Sequence, residues 1–266
     1  LSPVPVACVL HALPVAIALV IQSPPRGTPG LRAGLDTLYA GDFAAAAVHF
    51  AELAARDSTD PAPLVFQASA YIWWASALDS AAFERPRVDS LLERAMQRAR
   101  AAGRAADFWL GTAHGYRARQ RDLHGETFGA AKDAKAMRDA YRRVLAADSS
   151  CVDCYLGLGV YHYGLGRAST LAKIVARLLG LGGGRAETGL EYLRHVARDG
   201  DLARVEAAWV LAAALVREAA RDPATRPALE GESRRVVEAL AARYPDNPVF
   251  RRFLAEIPAR PDEGER

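Results

Sequence analysis

Cys151 and Cys154 stand with two residues between them, just before an apolar run that starts at Tyr155. A Cys-x-x-Cys pair at a helix start suits thiol chemistry, because the free N–H groups of a helix N-terminus stabilise a thiolate. A redox pair is therefore one reading. No strand–helix pattern of the thioredoxin kind precedes it, so a local disulfide, or two small residues in an inter-helix turn, compete with it. Two thiols are also half of a zinc site. His162 lies two turns further along and Asp153 sits between the thiols, but nothing in the spacing makes these ligands converge. Covalent haem attachment needs a His directly after the second Cys, and Tyr155 stands there.

Other constellations are weaker. The run from Gly180 to Gly184 is glycine-rich, but it lacks the Gly-Lys-Ser/Thr ending and the preceding strand of a phosphate loop. A tight inter-helix turn is the reading that fits. His114, Tyr116, Arg117, Arg119, Arg121 and His124 cluster along one helix, with Asp107, Asp122 and Glu126 nearby. They form either a groove-lining polar site or an internal salt-bridge network. No Ser, His and Asp set shows a nucleophile context, and no His-Glu-x-x-His helix occurs.

The elements that must position these residues are helices. Alanine accounts for 55 of the 266 residues, 51% of the chain is apolar, and β-branched runs are nearly absent. Basic and acidic residues number 34 and 31 and are interspersed, so no large positive excess marks a nucleic-acid partner. Residues 1–22 are apolar enough to be an export signal, a membrane anchor or a buried first helix. Residues 23–30 read as a linker and 258–266 as a polar tail. Between them, apolar residues recur at spacings of three and four, interrupted by Gly and Pro turns. The predicted domain is thus an all-α array over residues 31–257.

That array resembles the tetratricopeptide repeat, a helix-turn-helix unit. Tyr155, Leu158, Gly159 and His162 occupy the positions of the repeat's first helix. Ala46, Phe50 and Leu53, or Met137, Tyr141 and Val144, match its second. The period is irregular, and residues 169–184 interrupt one unit between its two helices. The segments Cys151–Tyr163, Leu178–Arg185 and Gly189–Leu193 are similar to uncharacterised exported bacterial repeat proteins. They are distantly similar to the tetratricopeptide-39 and inclusion-body-clearance group, as are Phe108–Gly111 and Gly115–Ala118. The resemblance implies a right-handed α-solenoid of about 10–12 helices that serves as a scaffold, with no catalytic residue to carry over.

The expected function is a non-enzymatic adaptor for protein–protein interaction, exported, periplasmic or membrane-anchored on that side, as an accessory subunit of a membrane complex. Residues 1–22 would contact the membrane. A protein partner is expected, and no nucleic acid, cofactor or metal. The alternative is a small-molecule, metal or redox protein using an aromatic and arginine groove or Cys151 and Cys154. The expected interface comprises Trp73, Trp74, Trp109, Tyr116, Arg117 and Tyr161 on a concave surface, with Leu178 and Leu179 on the apolar inserted helix. Trp73 and Trp74 are adjacent and cannot share one side of a helix, so one is expected in the core.

Overall fold

The computed structural model describes residues 27–257. The described chain is all-α, with twelve α-helices and one short 3-10 turn. In order these are α1 (Pro29–Tyr39), α2 (Phe43–Arg56), α3 (Ala62–Ala77), α4 (Arg85–Ala102), the 3-10 turn (Gly103–Ala106), α5 (Asp107–Leu123) and α6 (Thr127–Ala147). They are followed by α7 (Cys154–Arg167), α8 (Thr170–Leu178), α9 (Ala186–Asp199), α10 (Arg204–Ala219), α11 (Arg226–Arg243) and α12 (Pro248–Glu256). Several starts follow from local chemistry. Thr28, Asp42, Ser169 and Asn247 each accept a backbone N–H of the first turn they precede, which satisfies an otherwise orphaned donor.

The helices pack as antiparallel neighbours: α1 with α2, α3 with α4, α5 with α6, α7 with α9, and α10 with α11. The pairs begin at residues 29, 62, 107, 154 and 204, so the period is not constant. Helix α8 lies between α7 and α9 in the chain, and its main packing contact is with α6. Helices α7 and α9 meet backbone to backbone. A Cβ at Gly189 would come within 2.5 Å of the Tyr163 nitrogen and 2.7 Å of the Gly159 carbonyl oxygen. Two glycines therefore let the helix backbones touch, where any side chain would hold them apart.

The two ends of the array meet. The Asn247 amide donates to the Tyr39 carbonyl at 2.9 Å, and Arg252 donates to the carbonyls of Ser76 and Ala77. Asp201, just before α10, receives both guanidinium nitrogens of Arg32 and the Gly27 N–H. Trp73 sits at the junction, with its ring 5.6 Å from Tyr39, 5.9 Å from Trp209 and 5.6 Å from Phe250. Aromatic pairs at these separations contribute beyond their buried area. The apolar surface of α3 runs nearly all round the helix, too broad to be covered by one neighbour, and Trp209 of α10 and Phe250 of α12 pack against its Trp73.

One expectation is corrected. The sequence leads one to expect a chain that is exported, periplasmic or membrane-anchored on that side, and the membrane-anchored part is what the structure overturns. Among the described residues, no helix is long and apolar enough to cross a membrane. A span needs about 20 apolar residues. The apolar α3 has 16 residues, and the 21-residue α6 carries seven charged ones. The expected signal or anchor at residues 1–22 and the polar tail at 258–266 lie outside the described residues.

Candidate functional site

Among the described residues, helix α8 groups three of the exposed large apolar side chains on one face, whereas Val48, Leu78, Leu123, Phe128 and Val160 are exposed on other helices or their ends. Leu171 is 71% exposed, Ile174 48% and Leu178 82%. At 100° per residue these three fall within one 60° sector. Ala176, which is buried, points the opposite way. A surface helix ordinarily turns its apolar stripe toward the core. Here the stripe faces solvent, and only the small Ala176 and the flanking Leu181 anchor the segment. Val175 and Leu179 are half-buried on the flank. The local sequence explains the attachment. Ser169 caps α8, and Gly180, with a φ of 71°, reverses the chain after Leu179. Gly184 is wedged against α7, where a Cβ would lie 2.7 Å from the His162 carbonyl oxygen.

The segment from Ala168 to Ala186 contains Lys173, Arg177 and Arg185 and no acidic residue. Among the described residues, the side chains of these three cations have no ion pair or hydrogen bond. Among the described residues most other arginines are paired, as Arg117, Arg121, Arg138, Arg143, Arg167 and Arg194 are.

The remaining expected interface residues are placed differently. Trp73, Trp109 and Tyr161 are buried. Trp109 packs on Phe66 and Phe108. The Tyr161 hydroxyl donates to the Gly182 carbonyl and accepts from Arg138, tying the glycine loop to α6 and α7. Trp74 is half-buried and stacked on Tyr71. Tyr116 reaches inward, with its hydroxyl 3.0 Å from Ser69 Oγ and 3.3 Å from Glu206 Oε2.

Two buried carboxylates organise the polar interior, and neither stood out in the sequence. Asp133 of α6 accepts from His114 Nδ1 at 2.7 Å, from Arg117 at 2.8–3.1 Å and from Arg121 at 2.5 Å. Arg117 also reaches Glu93. Burial raises the Asp133 carboxyl, but the hydrogen bonds and charges of His114 and Arg117 outweigh it, and its pKa lies below the ordinary value. The His114–Arg117–Arg121 cluster is thus an internal network, closed by an acid from the neighbouring helix. Asp107 instead pairs with Arg143, at 2.7 and 2.8 Å.

Glu206 of α10 lies between the ends of the array. It accepts from Trp73 Nε1 at 3.0 Å and faces the Tyr116 hydroxyl. Burial pushes its carboxyl above the ordinary value, against the opposing effects of Arg119, Trp73 and Tyr116. A sequence signal for it exists only in retrospect: it is an acid at a helical spacing shared with Ala207, Trp209 and Val210.

Cys151 and Cys154 are joined to each other in a disulfide and are buried. Between them, Asp153 accepts the Asp201 and Leu202 N–H groups, each at 2.8 Å. The linked loop thereby seats the start of α10. The His162 Nδ1 is buried without a hydrogen-bond partner, and burial lowers its pKa. Among the described residues, no group of three His, Cys, Asp or Glu side chains is placed to hold a metal ion.

Among the described residues, fold and sites together define an all-helical arrangement of pairwise-packed helices whose first and last helices meet, with the apolar face of α8 left open. Compared with known family models and with curated proteins, the chain matches none.

Proposed function

We propose that this protein is a non-enzymatic helical-repeat scaffold of the tetratricopeptide type, which binds a partner protein through α8. The observation that carries this reading is the outward stripe of Leu171, Ile174 and Leu178. Burying such a stripe is favourable by roughly 25 cal/mol per Å², and the chain's own described helices leave it uncovered. Trp73, expected on a recognition surface, is instead enclosed by Trp209 of α10 and Phe250 of α12. That makes α8 the better candidate for recognition.

The occupant that fits is an amphipathic helix of the partner bearing acidic residues. Spacings of three, four and seven along α8 match the ridges of a second helix. Arg177 borders the stripe and is unpaired, and the whole segment is positive. Opposite charge would favour encounter and set orientation.

The test uses two designed amphipathic helical peptides with the same leucine face, one with glutamate and one with lysine on the polar face. The readout is fluorescence anisotropy with the full chain. The acidic peptide should bind, and L171S/L178S should weaken it at least tenfold. Equal binding of both peptides, or unchanged binding by the variant, refutes the reading. Concentration-dependent dimerisation that L171S/L178S abolishes would assign the face to a second copy instead.

A further inference from the structure

Beneath α8, on the side away from the apolar stripe, lies a cleft of about 380 Å³. Its floor is Leu165, Ala176 and Leu181; its rim is Lys173, Arg177 and the backbone of Gly182–Gly184. From this arrangement we infer a binding site for a small anion with an apolar tail, a carboxylate or phosphate monoester on a short alkyl chain.

Three features point to that chemistry. First, Lys173 and Arg177 are one helical turn apart and share the side of α8 that overhangs the cleft. Neither has a side-chain partner among the described residues. Second, the N–H groups of Gly182, Gly183 and Gly184 donate to no acceptor among the described residues, and α9, which begins two residues later, has no side-chain cap. An uncapped helix start preceded by free backbone donors favours negative charge. Gly182 and Gly183 also have open space where a Cβ would stand, so the rim is free of side chains. Third, the floor is apolar and the volume falls within the range of small-molecule sites. An inorganic anion would satisfy the rim and leave the floor wet, whereas an alkyl tail covers it.

This site lies on the opposite side of α8 from the outward stripe and shares only Arg177 with it; its ligand is a small amphiphilic anion and not a helix, so either reading can fail without the other. The test is isothermal titration calorimetry of the full chain with octanoate and octyl phosphate. Octanol, octylammonium and inorganic phosphate serve as controls. One or both amphiphilic anions should bind at least tenfold more tightly than octanol, octylammonium or inorganic phosphate. K173A/R177A should lower that affinity at least tenfold. Both side chains are exposed, so the variant's circular dichroism should match that of the parent chain. Whichever anion binds more tightly identifies the headgroup. No binding of either anion, equal binding of octanol, or full affinity in K173A/R177A overturns the inference. Tight binding of inorganic phosphate alone would do the same, since it would make the apolar floor irrelevant.

Discussion

Glu206 offers the sharpest test of how the array closes. Glu206→Ala removes the acceptor for Trp73 Nε1–H, at 3.0 Å in the interior. A buried donor left without a partner costs about 1–3 kcal/mol. Loss of two buried methylene-sized groups adds roughly 1.6 kcal/mol. Tyr116 keeps Ser69 as a partner at 3.0 Å, so it adds little. Relief from burying a charge offsets part of this sum, leaving a loss of about 2–4 kcal/mol at neutral pH. Glu206→Gln keeps an oxygen for Trp73 and removes the charge, and it separates the two effects through pH. The folded-state pKa of Glu206 is raised above its ordinary value of 4.5. Its stabilising contribution is therefore fully present below pH 4.5 and is lost as pH rises through the folded pKa. The glutamine variant has no such loss. Urea unfolding followed by tryptophan fluorescence at pH 4 to 8 should show Glu206→Gln gaining on the parent chain as pH rises, then levelling off. A difference that stays flat or shrinks with rising pH refutes the placement of Glu206 in the closed interior, as does a near-neutral Glu206→Ala.

Asp133 should behave with the opposite sign. Asp133→Asn leaves Arg117 and Arg121 facing a neutral amide and should cost about 3–5 kcal/mol at pH 7. Because the folded pKa of Asp133 is depressed, the gap between parent and variant should narrow as pH falls through it, measured by the same unfolding series. Gly189→Ala should lower stability by at least about 2 kcal/mol, because its Cβ meets backbone of α7 that can yield only by separating the helices. A thermal melt equal to that of the parent would contradict the α7–α9 approach. For the disulfide, thiol titration of the denatured full chain without reductant should find one thiol, from Cys8, and three after reduction. Cys151→Ser should destabilise by roughly 2 kcal/mol, the entropy of so short a loop. Three thiols before reduction would count against the pairing.

Much of this fold is written locally. Helix starts at Thr28, Asp42 and Ser169 are capping residues in front of periodic apolar runs, and the Gly41–Asp42 and Gly103 breaks are visible as turn chemistry. The adjacency of Trp73 and Trp74 already requires them to point apart, and one is buried while the other is half-buried. The apolar character of Leu171, Ile174 and Leu178 is equally plain in the sequence, but its direction is not. The same stripe on a helix docked face-down would be core. Likewise the cluster around His114 and Arg117 announces a polar network, while its central acid, Asp133, lies on the next helix and carries no distinguishing pattern.

Helix existence, approximate boundaries and pairing of neighbours were thus determined by the sequence alone. Periodicity, caps and turns act over a few residues and need no knowledge of the whole. Tertiary structure alone decided that the ends meet, that Trp73 and Glu206 become interior, that the cysteines are linked across a turn seating α10, and that α8 faces its apolar side outward. The cysteine link itself spans only three positions and is local, but its seating against α10 and the other features depend on which surfaces remain uncovered after neighbouring helices have packed. That is a property of accumulated geometry along the array, where small changes in the angle of each pair decide whether residues about 130 to 210 positions apart come into contact.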